Sequence, residues 1–535
     1  MRVVSLRQAQ YLKGQLKSWA YNALDCTGTL EIANVLLPRL DPETERTYAF
    51  ERAVQNAAFQ MQCRGVRVDV VRRDEAVAEL GRELKKTTTR LNKLPAVADV
   101  WDGLEKVTGK CKKSTRKDDK HTWEPKVPDT PERTCVNCGM SRFKTKPFNP
   151  NSPLQTQHLF YDLLNFKPLK NKKGEISTDD EIIGRLEKIY PEHSELFDAI
   201  QEYRNFKKQL GFLKSKLSGD NRFHSSFNVG TAWTGRWSSS KDPFQRGSNL
   251  QNIAERHRNI FVADPGFEIA YIDLKQAESN GVAHLAGDEI YIDAHKSGDV
   301  HTFVTRLIWP EMPWTMDLSQ DKKIAKALPE WDQAPGHDFR FQSKRIQHGG
   351  NYGLTPFGIS RIARIPLSES KRAYYAYHGS FPYINGWQGY VRGLVEASEP
   401  LVNPLQRKIR LFGRPWDDHT YKQGLAFLPQ SMVADIINIA IYRVWKELEP
   451  EGVQLFAQVH DALLLQFPKG RYDLVARAMD LMTIPVEVMD YEGNVRVMRI
   501  EAEAAVGLNW GHKSADNPQG IDEQPIQDYL NGKIS

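Results

Sequence analysis

The stretch Leu455-Phe-Ala-Gln-Val-His-Asp-Ala-Leu-Leu-Leu-Gln-Phe467 constrains this chain most. Two short apolar runs flank a polar pair, His460-Asp461. Runs this short and this sharply bounded predict the two strands of a hairpin, with the polar pair at its tip. An unpaired carboxylate beside so much Leu and Val is costly to bury. Two readings of Asp461 follow. It caps its own turn, or a bound cation offsets its burial.

A second stretch gives the cation reading weight. Phe267-Glu-Ile-Ala-Tyr-Ile-Asp273 is an apolar strand that ends in an aspartate, and Leu274 to Leu285 then has helical spacing with Gln276 and Glu278. If the strands of Asp273 and Asp461 are neighbours, two carboxylates converge. Such a pair can hold two Mg ions about 3.5–4 Å apart. Further along, Arg340, Lys344, His348 and Tyr352 recur in steps of four, which puts them along one helix face. That stripe is either a solvated face or a site for a triphosphate, with a ring available to stack on a base. Phe223 to Asn252 is a long polar segment dense in Ser, Thr, Asn, Gln and Arg, residues that suit phosphates and base edges. Pro400 to Pro415 is basic and turn-like, carrying Arg407, Lys408, Arg410 and Arg414.

The remaining patterns bound the class. At 535 residues and 61.2 kDa the chain can bury a large core and fold as several subdomains. No window approaches twenty uncharged apolar residues and no signal peptide opens the chain, so a membrane span is not expected and a cytoplasmic location is. The net charge of +6 permits a nucleic-acid partner without requiring one. Five cysteines in such a chain argue against a disulfide framework. Helical spacing is expected from Pro42 to Arg64, with Gly65 as its stop, and from Asp74 to Leu94. It is expected again from Leu154 to Leu164, from Asp179 to Leu217 and, amphipathically, from Gln430 to Leu448. In Asp179 to Leu217 the basic residues Arg204, Lys207 and Lys208 form either a solvated or a phosphate-tracking face. Trp101 to Pro147 is poor in branched apolar residues and holds Cys111, His121, Cys135 and Cys138. The Cys135-Val-Asn-Cys138 spacing makes these four a candidate zinc set, whose metal would supply folding energy that this composition lacks. The alternative is an unliganded insertion. The tail after Trp510 is expected to be peripheral.

Taken together, these stretches resemble family A DNA polymerases, the bacterial polymerase I type, and in character the short phage replicases. Asp273-Leu-Lys-Gln-Ala-Glu278 resembles the family's motif A, Arg340-x3-Lys344-x7-Tyr352-Gly353 its motif B, and Val459-His-Asp461 its motif C. Thr234-Gly-Arg-Trp-Ser-Ser239 with Asn249-Leu-Gln-Asn252 matches the primer–template segment, and Phe148-Asn-Pro-Asn-Ser-Pro153 and Gly507-Leu-Asn-Trp510 match smaller landmarks. The resemblance implies an α+β right-hand fold with an antiparallel palm sheet, helical fingers and a helical thumb. The expected parts are an exonuclease remnant over 1–45 and a thumb over 46–220 with its Cys-bearing insertion at 101–147. Palm follows over 221–300 and 401–512, fingers over 301–400, and a polar tail over 513–535. The implied activity is template-directed DNA synthesis from deoxynucleoside triphosphates, in phage genome replication. Asp273, Asp461 and the Leu274 carbonyl would hold two Mg ions. Arg340, Lys344 and His301 would bind the triphosphate, Tyr352 would stack at the insertion site, and Glu278 would exclude ribonucleotides. Gln276 and His348 would also face the nucleotide. Arg236, Asn249, Gln251, Arg258, Gln430, Gln458 and His460 would contact DNA.

The chain departs from the family pattern in three places. Ala462 stands where Glu usually follows the motif C aspartate, and His348 stands where Phe or Tyr is usual. Tyr21-Asn-Ala-Leu-Asp25 resembles the last motif of the 3′–5′ exonuclease, but its upstream acidic motifs are missing. Proofreading is therefore not expected from this chain, and a separate exonuclease subunit is an implied partner. The insertion at 101–147 is a candidate dock for a processivity factor. A single-subunit RNA polymerase and a non-catalytic nucleic-acid-binding relative are the rival readings. Glu278 speaks against the first, and intact Asp273, Lys344 and Asp461 against the second.

Overall fold

A computed structural model describes residues 14–98, 123–125, 132–136, 141–143, 148–171, 174–332, 336–363 and 365–534. Cys111, His121 and Cys138 of the candidate zinc set lie outside the described residues, as does most of the 101–147 insertion. Cys135 is described: it is buried and ends the strand Glu132–Cys135. The chain forms two compact units. One comprises Met1–Arg67, Leu217–Asn252 and Phe261–Ser535; the other comprises Val68–Lys216 and Ile253–Ile260.

The larger unit is built on a four-stranded antiparallel sheet: β1 (Phe267–Leu274), β2 (Gln454–Val459), β3 (Ala462–Pro468) and β4 (Ala502–Gly507), in the order β2-β3-β1-β4. The expected hairpin is β2-β3, with His460 at φ +57° in its turn. Ile269, Ala270, Ile272 and Leu463 to Leu465 are fully buried. Both faces of the central strands are thus covered, which is why these strands read as continuous apolar runs rather than alternating ones.

Helices surround this sheet. α1 (Pro42–Arg64) packs on β2. Asp41 caps it by accepting from the Thr44 amide at 2.9 Å, and Gly65 stops it at φ +61°. In chain order follow α2 (Ala277–Ala286), α3 (Val300–Ile308), α4 (Phe339–Asn351), α5 (Leu367–Ser380), α6 (Pro382–Glu396), α7 (Asp418–Leu448) and α8 (Tyr472–Met482). α7 corrects the expected Gln430 start. It begins twelve residues earlier and runs through Pro429, forgoing one amide donor there. It is also buried on most of its circumference, so it is a core helix rather than an amphipathic one. Among the described residues Asp418–Glu451 is the helix long and apolar enough to cross a membrane, and 83% of its most apolar window is buried in the protein.

The C-terminal segment is another correction. Gly520–Ile521 pairs in parallel with Asn509–His512, and the helix Gln524–Leu530 packs on α8 and β4. Ile521 and Ile526 are each 2% exposed, so two spaced apolar residues anchor an otherwise polar tail.

In the smaller unit the expected single helix over Asp179 to Leu217 is two, Asp180–Ile189 and Ser194–Leu213. Pro191 disfavours helical backbone at the preceding Tyr190 and breaks the run. The core of this unit includes Leu91, Phe160, Phe166, Phe197 and Ile200. Arg204 does not offer a free phosphate-tracking group. Its guanidinium donates to the carbonyls of Pro150 at 2.9 Å and Thr178 at 2.6 Å.

Because β1 is the middle of the core, Ile272→Ala should destabilise the larger unit by about 2–5 kcal/mol, the range for emptying a buried aliphatic site. Urea unfolding followed by circular dichroism measures it.

Candidate active site

The sheet register brings the two aspartates together. Asp273 lies opposite Ala462 on β3, and the Leu274 amide donates to the Asp461 carbonyl at 3.2 Å. On its other side Asp273 lies opposite Glu503 of β4, a residue that sequence reading missed. The available signal was the alternation Glu501-Ala-Glu503-Ala in a strand that leads into Gly507-Leu-Asn-Trp510. Lys275 neutralises part of this charge, with Nζ 2.9 Å from Glu503 and 3.3 Å from Glu501. Asp273 opens to solvent near the end of the inner strand β1, yet its surroundings desolvate it. Desolvation first, then the Asp461 and Glu503 charges, raise its carboxyl to about 6. Asp461 is raised as well, chiefly by burial. Ala462, in the place usual for a third acid, is fully buried.

Around Glu278 at the start of α2 sits a polar cluster. Tyr352, just past the end of α4, donates its hydroxyl to Glu278 Oε2 at 2.6 Å. Arg236 bonds Glu278 Oε1, and its Nη2 lies 3.8 Å from Asp461 Oδ1. The segments carrying Glu278 and Asp461 therefore converge on the Arg236 guanidinium. His348 sets its ring edge-on to Tyr352, with centroids 4.8 Å apart. Burial and the hydrogen-bonded Glu278 hold the Tyr352 phenol protonated, well above its ordinary value. Gln276 takes a left-handed conformation, φ +50°, in the turn between β1 and α2.

On α4, Lys344 is exposed and close enough to Asp273 for its charge to oppose the rise in that carboxyl. Arg340 is engaged: its guanidinium donates to both oxygens of Asp299 at 3.0 and 2.9 Å. Asp299 in turn caps α3 through Thr302. His301 Nδ1 donates to Gln347 at 2.6 Å. Burial and the Arg340 charge lower His301 to about 4, so at neutral pH it offers a hydrogen bond and not a positive charge.

The residues expected to face DNA divide into two sets. Gln251 donates to Gln458 at 2.6 Å, and Gln458 bonds the His460 carbonyl. Asn249 accepts from Ser239 at 2.7 Å. Gln430 of α7 lies near enough to the Tyr352 phenol to oppose part of its upward shift. These residues join the aspartates in the larger unit. Arg258 belongs to the other unit, on the short helix Glu255–Ile260. The Thr234-Gly235-Arg236 turn has its own support. Gly235 sits at φ +78°, where a Cβ would come 2.7 Å from the Arg407 guanidinium carbon, so only glycine fits.

This geometry defines a right hand of the polymerase type, with paired aspartates on its palm sheet. The chain belongs to DNA polymerase family A, whose sequence profile matches residues 136–512. It is 27% identical over 392 residues to the thermostable DNA polymerase I of Thermus aquaticus, covering 69% of this chain and 42% of that one. With DNA polymerase I of Geobacillus stearothermophilus it shares 29% over 390 residues, covering 68% and 40%. It thus spans about two fifths of the length of these curated relatives. The fold matches the POL domain of Pol1 from M. smegmatis, solved in complex with DNA primer-template and dNTP. The TM-score is 0.63 at 21% identity, covering 86% of this chain and 70% of that one.

A divalent cation suits the donors present. Two carboxylates and a backbone carbonyl form a hard oxygen set, and the mutual repulsion that lifts Asp273 is what a cation relieves. Among the described residues no cluster of three or more potential His, Cys, Asp or Glu ligands occurs, so the fit rests on those two carboxylates and the carbonyl. The raised Asp273 value means this group favours the fold while protonated. That contribution is full below about 3.8 and lost as pH rises through about 6. Asp273→Asn should therefore melt above wild type near pH 8 in metal-free buffer, with the gap narrowing between about pH 6 and pH 4. Adding Mg should raise the melting temperature of wild type more than that of the variant. Differential scanning calorimetry reads both.

Proposed function

We propose that this chain extends a primer 3′ hydroxyl on a DNA template with deoxynucleoside triphosphates, within phage genome replication. The observation that carries the proposal is the convergence of Asp273 and Asp461 on neighbouring strands in a family A chain. In this reading the four-stranded sheet is the palm, α3 to α6 belong to the fingers, and the helices of the smaller unit form the thumb. Asp273, Asp461 and the Leu274 carbonyl would hold two Mg ions, which would supply charge neutralisation at the primer hydroxyl and at the pyrophosphate.

The protein's own groups position and neutralise charge. Lys344 meets the triphosphate, and Arg340 joins it by exchanging Asp299 for phosphate oxygens. His301 donates a hydrogen bond. Tyr352 offers its ring to the nascent pair, and Glu278, held by Tyr352 and Arg236, crowds the sugar 2′ position. Gln251, Gln458 and His460 line the primer–template side. His348 packs near the sugar, where its smaller ring alters discrimination among sugar analogues.

Asp461→Asn should lower the rate of primer extension with Mg by at least about a hundredfold, the scale for losing a group that stabilises developing charge. Equal extension by both proteins would remove the site assignment. Glu278→Ala should raise ribonucleotide incorporation relative to deoxynucleotide incorporation in the same assay. An unchanged ratio would remove the role given to Glu278.

A further inference from the structure

An exposed segment of the larger unit carries none of the groups placed in the site. Leu401–Val402 and Lys408–Ile409 pair as a two-rung antiparallel hairpin, and the chain then runs through Arg410-Leu-Phe-Gly-Arg-Pro-Trp416 to α7. Its residues alternate. Arg410, Phe412, Arg414 and Trp416, each two apart, all face solvent. Phe412 is 99% exposed and Trp416 77%. Among the described residues neither ring stacks on another, and neither arginine is in an ion pair.

The root of the loop, by contrast, is fixed. Lys408 pairs with Asp41 at 2.5 Å and Glu43 at 3.3 Å. Arg407 is clamped between Asp435 and Glu51, each at 2.7 Å, and its guanidinium packs on Gly235 of the Thr234-Gly235-Arg236 turn. Asn403 closes the hairpin by accepting from the amides of Leu405 and Arg407, each at 2.9 Å. The loop is thus tethered to the turn that carries Arg236.

Two large rings held in water gain by meeting flat apolar faces. The guanidinium two residues before each ring suits phosphates. Alternating rings and cations make up the residue set that binds single-stranded nucleic acid, because stacking needs base faces that a duplex hides.

We propose that Arg410, Phe412, Arg414 and Trp416 form a stacking platform for the unpaired template strand. The proposal rests on the polymerase reading, and its test requires no turnover. Fluorescence anisotropy of the full chain would compare two labelled primer–templates. One carries a 5′ template tail of about ten nucleotides, within the span of a small single-strand site. The other carries an abasic tail with the same phosphates. Wild type should bind the base-bearing tail about tenfold more tightly, the scale of one base–aromatic stack. Phe412→Ala/Trp416→Ala should abolish that preference, and Phe412→Tyr/Trp416→Phe should keep it. Arg410→Ala/Arg414→Ala should weaken both tails alike. Equal binding of the two tails by wild type would overturn the proposal, whatever the stability of the variants. So would a preference that survives loss of both rings, or a change of oligomeric state as the sole effect of the substitutions. Loss of primer extension in Asp461→Asn tests the polymerase reading separately.

Discussion

The ladder between β1 and β3 is the interaction on which the rest of the larger unit depends. Its register, Asp273 opposite Ala462 through Phe267 opposite Pro468, sets which side chains share a face. A slip of one residue would turn Asp273 to the opposite face of the sheet and break the site. The register is fixed from both sides. Leu463 to Leu465 and Ile272 are sealed in the core, and β4 pairs along the far edge of β1. The energy that buries these aliphatics is thus the energy that forces carboxylates into mutual repulsion. The fold sustains that cost because the hydrophobic gain is much larger and is spread over the whole sheet.

The site is correspondingly a set of compensations. Lys275 answers Glu501 and Glu503, Arg236 answers Glu278, and Lys344 approaches Asp273 from α4. None of these cations is deeply buried, so each can trade a protein carboxylate for a phosphate at modest desolvation cost. The Arg407–Asp435–Glu51 cluster differs. It is largely buried and positions the Gly235 turn from behind. Removing one of its members would strand a charge in the interior.

What could be read from the sequence follows from what each pattern reports. Short apolar runs bounded by polar pairs report strands, and both aspartate-bearing strands were legible, down to the hairpin tip. The ordered motifs reported the family. α7 was read too short because Pro429 is a helix breaker only where the backbone must supply its amide, and tertiary burial overrode that preference. The break at Tyr190 was hidden because the apolar spacing resumes in phase after Pro191. Glu503 was missed because its partner is a long way off in sequence, and register across a sheet is not a local property. The pairing of Arg340 with Asp299 escaped for the same reason. The motif identifies the arginine but not the carboxylate that occupies it.

That last pairing has a mechanical consequence. Asp299 closes the first turn of α3 while gripping the guanidinium at the start of α4. Two helices that share one carboxylate resist rotating separately, since either rotation would tear a bidentate contact. The same two helices are also joined through His301 and Gln347 at 2.6 Å and through Thr305 and Ser343 at 2.8 Å, so an anion that drew Arg340 away would remove one link of the joint and leave the others in place.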